Sequence, residues 1–335
     1  MKKNVLNAGL NLITKPKVIS LFSGVGGSSQ GYKDAGCEVV AAVEFLDYQA
    51  HNYRLNHSGI LYEADIRELE PKDILKDVGL RVGELDILDG SPPCSGFSTA
   101  GIQDKGWSKV KAYGNRKQVV DDLFFEYTRF IKEIQPKVFV AENVSGLVKG
   151  SAKGYFNMIM REMTDCGYNV KAKLLNAKYY GVPQSRQRVI FIGVRNDLKK
   201  IPVYPEPSNK IITLGEAFEN IVNKKNDLEL SEPNRKTKTY KEVEKIKPGL
   251  SSKKFFSMKK ASKSKTSCTL TAQWTNHFHW TGRHFTLNEA KAIAGFKPSF
   301  KMTSSFARNM EACGRVVPPP MMKAIAKTII EKILK

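Results

Sequence analysis

Cys94 stands within Gly90-Ser91-Pro92-Pro93-Cys94-Ser95-Gly96-Phe97-Ser98, with two prolines directly before its thiol and a glycine two residues beyond. The prolines fix the backbone ahead of the sulfur and Gly96 leaves the following loop free to bend, which is a posture for a nucleophile. A cysteine taken alone is as readily a small buried hydrophobe, so its company decides. Glu142, in Glu142-Asn143-Val144, is a second candidate, for proton chemistry. Arg186 and Arg188 alternate in strand period and would share one face as a two-pronged donor site. Glu44 and Asp65 each follow a short apolar run, an arrangement that suits a nucleoside, with ribose hydroxyls on one carboxylate and an adenine amino group on the other.

These residues need elements to position them. Val18-Ile19-Ser20-Leu21-Phe22 reads as a strand, Ser23-Gly24-Val25-Gly26-Gly27 as a glycine turn, and Ser28 to Ala35 as a helix. That order lets backbone N–H groups approach a ligand closely. The spacing Gly-x-Gly-Gly departs from the dinucleotide pattern Gly-x-Gly-x-x-Gly, and a plain tight turn also explains it. Further strands are expected at Cys37 to Val43, ending in Glu44; at Ile60 to Tyr62; and at Leu85 to Asp89, which delivers the Cys94 loop from a carboxyl edge. Gln103 to Gln118, with Trp107 and Tyr113, has the composition of a lid. Leu123 to Ile134 is helical in period and stops before Pro136. Val138 to Ala141 is a strand running into Glu142. Asn169 to Ala177 and Val189 to Val194 are two more.

Composition shifts at the proline-rich Ile201-Pro202-Val203-Tyr204-Pro205-Glu206-Pro207, taken as a boundary. The expected division is residues 1–200 as a catalytic and cofactor-binding domain, 201–282 as a smaller domain, and 283–335 as a return to the first. Thr286 and Glu289 have capping-box spacing, and Pro318-Pro319-Pro320 opens an amphipathic helix to Ile333. The net charge is +21, far beyond what solubility requires, and nucleic acid is the leading partner. From Arg235 to Lys265 there are twelve Lys or Arg against two acids, with Tyr240, Phe255 and Phe256 interleaved. The five cysteines have no Cys-x-x-Cys spacing, which argues against structural zinc and disulfides, and no metal is expected at His277 and His279. Without a secretory signal or a membrane-length apolar run, a cytoplasmic protein off the membrane is expected.

Taken together and in this order, Phe22-Ser23-Gly24-Val25-Gly26-Gly27, Glu44, Asp65, Gly90-Ser91-Pro92-Pro93-Cys94, Glu142-Asn143-Val144, Gln184-x-Arg186-x-Arg188 and Arg283-x-x-Thr286-x-x-Glu289 leading to Gly295-Phe296 resemble the cytosine-C5 methyltransferases that use S-adenosylmethionine. The resemblance runs almost end to end. It implies an α/β, Rossmann-like S-adenosylmethionine-dependent methyltransferase fold, a mostly parallel sheet with helices on both faces plus a target-recognition domain in the basic region. It also implies a monomer acting on double-stranded DNA, with tRNA as the rival substrate, and a place in restriction-modification.

Residue roles follow from the resemblance. Cys94 would add to C6 of a flipped cytosine, Glu142 would hydrogen-bond N3, Arg188 would contact O2, and Arg186 would help hold the base and the thiolate. The cofactor would lie against Phe22, Gly24, Gly26, Gly27, Glu44, Asp65, Ile66, Gly90, Pro92, Leu123, Arg315 and Val316. One of these departs from the pattern. The family shows Gly-Asn near the C-terminus, whereas this chain reads Gly314-Arg315-Val316-Val317. A guanidinium about 5 Å from a sulfonium would be repelled by about 3 kcal/mol at an effective dielectric of ~20. Either Arg315 turns to a phosphate or a protein acid, or the cofactor is carboxy-S-adenosylmethionine, whose carboxylate Arg315 would clamp to give 5-carboxymethylcytosine.

Overall fold

Alternation of side chains along short, β-branched strands dictates a sheet buried on both faces. The computed structural model describes residues 14–93, 111–113, 116–118, 123–148, 153–233, 236, 238–252 and 258–335. Its sheet has seven strands, β1 (Lys17–Leu21), β2 (Glu38–Val43), β3 (Ile60–Tyr62), β4 (Ile87–Gly90), β7 (Val138–Val144), β8 (Tyr168–Asn176) and β10 (Gln187–Arg195). Two short strands, β5 (Lys111–Tyr113) and β6 (Arg116–Gln118), pair with each other, and β9 (Gln184–Ser185) precedes β10. The order is β3-β2-β1-β4-β7-β10-β8. Within this seven-stranded sheet the pairs are parallel except those of β10, which runs antiparallel to β7 and β8.

Parity sorts the side chains. Ile19, Leu21, Leu88, Phe139, Ala141, Val189 and Phe191 enter one core with α3 (Pro71–Asp77), α4 (Leu123–Ile134) and α5 (Lys153–Asp165). Val18, Ile87, Val138, Val140, Ile190 and Ile192 enter the other with Tyr32 of α1 (Gly27–Asp34) and Met321, Met322 and Ile325 of α11 (Pro319–Ile329). By the same parity Ser20, Asp89, Glu142 and Arg188 belong to the face on which α1 lies. The strand order reverses about β1 and β4, which places a crevice beyond their carboxyl ends.

The expected elements are present, with helices on both faces. Helix α4 ends at Ile134 as predicted, and the strand at Val138 continues through Glu142 to Val144 because β10 pairs with it there. Between the sheet and the C-terminal helices lie α6 (Leu214–Phe218), α7 (Lys225–Ser231) and α8 (Lys238–Glu244), and the two-residue strands β11 (Lys259–Lys260), β12 (Ser267–Cys268) and β13 (His277–Phe278). Strand β12 pairs with β9, tying this region to the Gln184 segment. Leu214, Leu270 and Phe285 share a third core with α9 (Leu287–Ala294) and α10 (Phe306–Arg315). Thr286 and Glu289 form the expected capping box on α9, and Glu289 also takes a bidentate pair from Arg283. Among the described residues no helix is long and apolar enough to cross a membrane.

Candidate functional site

A cavity of about 500 Å³ opens in that crevice, a volume suited to a small organic ligand. Its first wall is the turn after β1. Gly24 and Gly26 have φ of 57° and 90°, a backbone region that glycine enters without strain. Gly26 also lies against His57 and the Tyr53 ring, where a Cβ would collide. Glu44, at the end of β2, accepts N–H bonds from Gly24 at 2.7 Å and from Leu46 at 2.8 Å. Burial pushes its carboxyl up, against the pull of those two N–H groups and the Arg315 charge. The Ser23 hydroxyl is buried with no partner among the described residues, and Ser23 lines the cavity. An unsatisfied hydroxyl beside a glycine turn and a buried carboxylate fits a nucleoside-bearing ligand.

The second wall carries the proposed chemistry. Arg188 Nε lies 2.6 Å from Glu142 Oε1, both side chains nearly buried. Arg188 stands opposite Val144 and Ile190 opposite Glu142, so the ion pair joins diagonal neighbours on one face of the β7/β10 ladder. Arg186 is 2% exposed and donates from Nη1 to the carbonyls of Leu270 at 3.1 Å and Gly314 at 3.0 Å. Its Nε has no partner among the described residues. Burial, then the neighbouring Arg188 charge, disfavour its protonated form, and Glu142 opposes them. Gln184 bridges the Ile293 carbonyl and the Leu270 N–H. Asn143 donates to the Pro92 carbonyl at 3.3 Å, fastening β7 to the backbone two residues before Cys94.

Of the expected site residues, Phe22, Gly24, Glu44, Ile66, Pro92, Glu142, Arg186, Arg188, Arg315 and Val316 line this one cavity. Gly26 and Gly27 shape its turn from behind, Gly27 lying against Val316. Gly90 ends β4 against the Tyr127 ring, and Leu123 is buried at the start of α4 in the core. Asp65 lies between the lining residues Ala64 and Ile66, and its carboxylate bonds the Arg67 N–H and guanidinium. Cys94 and most of the segment from Gln103 to Gln118 lie outside the described residues, which include only Lys111–Tyr113 and Arg116–Gln118 of the latter. Arg315 Nη2 and Nε reach Glu311 Oε1 at 2.8 and 3.1 Å, and Arg308 holds the other Glu311 oxygen at 3.1 Å. A protein acid is therefore one partner of the Arg315 charge at the cavity rim.

Asp89 also lines the cavity, although no motif singles it out. Its signal is a charged residue between the buried Leu88 and Gly90 of a strand. Thr269 to Gln273 contribute a further wall, which the basic composition of their region does not single out.

The family model for C-5 cytosine-specific DNA methylase matches residues 16–331. The chain is 31% identical to the type II methyltransferase M.NgoFVII of Neisseria gonorrhoeae, across 97% of this chain and 88% of that one. It is 30% identical to the type II methyltransferase M1.HphI of Haemophilus parahaemolyticus, across 93% and 86%. An E. coli protein encoded within a prophage has the same fold, with a TM-score of 0.74 at 22% identity over 95% of this chain and 99% of that one.

Proposed function

The chain belongs to the C-5 cytosine-specific DNA methylase family, and we propose from this premise that it modifies C5 of a cytosine in duplex DNA, with Cys94 as its nucleophile. The observation that carries the reading is the Arg188–Glu142 pair sharing one cavity with the glycine turn and Glu44.

Cytosine C5 is a weak nucleophile. Addition of the Cys94 thiolate to C6 turns the ring into an enamine whose C5 can attack an electrophile. Glu142 holds a proton at N3, relieving the negative charge that builds during addition, and Arg188 orients that carboxyl while reaching O2. Arg186, fixed by two backbone carbonyls, presents its remaining donors to the reacting ring. Loss of the C5 proton and expulsion of Cys94 restore aromaticity. Since C6 is inaccessible in a stacked duplex, the base is flipped into the cavity.

Ser23, Gly24, Glu44, Ile66 and Val316 would hold S-adenosylmethionine, which supplies an electrophilic methyl group when bound. The pairing of Arg315 with Glu311 supports this cofactor over carboxy-S-adenosylmethionine, because the guanidinium already has a protein carboxylate. Residues 201–282 act as the target-recognition domain. Support comes from Leu270, whose carbonyl anchors Arg186 and whose neighbours line the base side of the cavity. The basic run from Arg235 to Lys265 supplies phosphate contacts. We take the enzyme to act as a monomer, as a modification enzyme of the restriction-modification type. The test is transfer from labelled S-adenosylmethionine to duplex DNA and, separately, to tRNA, with the product nucleoside weighed. 5-Methylcytosine in DNA is expected. Label confined to tRNA, or a product heavier by a carboxymethyl group when both cofactors are offered, would replace this reading.

A further inference from the structure

The lining charges do not balance evenly across the cavity. Glu142 is paired with Arg188, and Arg315 with Glu311, leaving Arg186 on the base side and Glu44 and Asp89 on the side of the glycine turn. Glu44 is engaged by two backbone N–H groups. Asp89 is built in with equal care. Its Oδ2 accepts from Ser20 Oγ at 2.8 Å and Ser28 Oγ at 2.6 Å, and its Oδ1 from the Tyr32 hydroxyl at 3.3 Å. Ser28 lies in the first turn of α1, directly after Gly27, and Ser20 in β1. Among the described residues, this carboxylate, only 2% exposed and held by three hydroxyls on a cavity wall, has no cation bonded to it. Removing an anion from water is unfavourable unless a compensating charge is provided.

We infer that Asp89 supplies the counter-charge for a sulfonium cofactor, so that the site favours the positively charged sulfonium over the neutral thioether left after transfer. The inference rests on the proposed use of S-adenosylmethionine and adds a residue and a selectivity to it. Other ionisable groups facing Asp89 are Tyr32 on α1, Tyr53 on α2 (Asp47–Arg54), Tyr127 on α4 and Glu142 on β7. Burial keeps all three tyrosines neutral, and burial first, then Glu142, raises the Asp89 carboxyl to about 6 against the pull of its hydroxyl partners. The counter-charge is therefore present at neutral pH and fades below that value.

Calorimetric binding of S-adenosylmethionine and of S-adenosylhomocysteine to the full chain tests this, because the two ligands differ at sulfur and its methyl group. Asp89→Asn should shift the ratio of the two dissociation constants against the sulfonium by about tenfold near pH 7.5. The wild-type ratio should move the same way near pH 5.5, and that of the variant should stay put. Ser28→Ala, which keeps the carboxylate and removes one stabilising donor, should raise the pH at which the preference fades. Equal weakening of both ligands by Asp89→Asn would make Asp89 a structural tie between β1, β4 and α1, and unchanged binding of both would also overturn the inference. A wild-type chain that binds neither ligand would instead overturn the cofactor reading on which it stands.

Discussion

Arg188 Nε and Glu142 Oε1, 2.6 Å apart, tie the antiparallel strand β10 to the parallel part of the sheet at the mouth of the cavity. The strand reversal is what allows it. An arginine at the start of β10 reaches the same sheet edge as a glutamate near the end of β7. Glu142→Gln keeps the shape and hydrogen-bonding capacity but cannot deliver a proton to N3. We expect single-turnover rates to fall by about 10²–10⁴-fold with cofactor binding nearly unchanged. Rapid-quench kinetics with duplex DNA, alongside cofactor titration, checks both halves.

Arg186 poses a conflict between fold and function. Its buried guanidinium has two backbone carbonyls and no bonded carboxylate, and Nε is unsatisfied among the described residues. Replacing a poorly compensated buried charge by an apolar chain is often neutral or stabilising by about 1–4 kcal/mol, whereas orphaning each of the two buried carbonyls is unfavourable by about 1–3 kcal/mol, about 2–6 kcal/mol for the pair. The two ranges overlap. Arg186→Met should therefore lower the stability measured by urea unfolding by no more than about 2 kcal/mol while activity falls by at least about 100-fold. A stability loss above about 3 kcal/mol would mark Arg186 as a residue kept for the fold.

Gly27 marks how closely the C-terminal segment approaches the glycine turn after β1. A methyl group there would run into Val316 Cγ2 and the Val317 carbonyl oxygen. Backbone cannot yield as a flexible side chain can, so Gly27→Ala should destabilise by about 1–3 kcal/mol and raise the KM for cofactor more than it lowers kcat. Thermal unfolding and cofactor-dependence curves measure these effects.

Stability should fall on mild acidification. Burial holds His57 and His277 down at about 3, well below the value of about 6.5 in an unfolded chain. Below about pH 6.5 the unfolded state takes up protons that the native state refuses, so stability present above that pH is lost as pH falls, by up to ~1.4 kcal/mol per unit for each histidine. Asp89 acts oppositely, since its folded value of about 6 exceeds the unfolded one and the native state binds the extra proton. It offsets about one histidine. A net loss of about 1–2 kcal/mol between about pH 6.5 and 5.5 is expected in urea titrations, and His57→Asn should reduce that slope.

Much of this was legible along the chain where local pattern and tertiary packing agree. The helix from Leu123 ends at Ile134 as expected because its apolar stripe of helical period ends before Pro136. The capping box at Thr286 and Glu289 formed as its spacing foretells. Glu142 was readable as a residue at the carboxyl end of a strand and Arg186 with Arg188 as alternating in strand period, whereas the Arg188–Glu142 pair depends on β10 running antiparallel. Long-range partners were not readable. Asp89 is explained by hydroxyls 57 to 69 residues away in the chain. Arg315 is explained by Glu311 four residues before it, a helical relation visible only once the polar stretch Phe306–Arg315 is known to be a helix.

The central claim is the bond between Cys94 and C6, and its most direct measurement is capture on duplex DNA carrying 5-fluorocytosine at the target site. Fluorine at C5 cannot leave as a proton does, so the enzyme should remain attached. With S-adenosylmethionine present, wild-type protein should form a denaturant-resistant complex whose digestion maps the adduct to Cys94, and Cys94→Ser should form none. An adduct that persists in Cys94→Ser, or wild-type protein that methylates cytosine DNA yet is never trapped by the fluorinated site, would contradict the account.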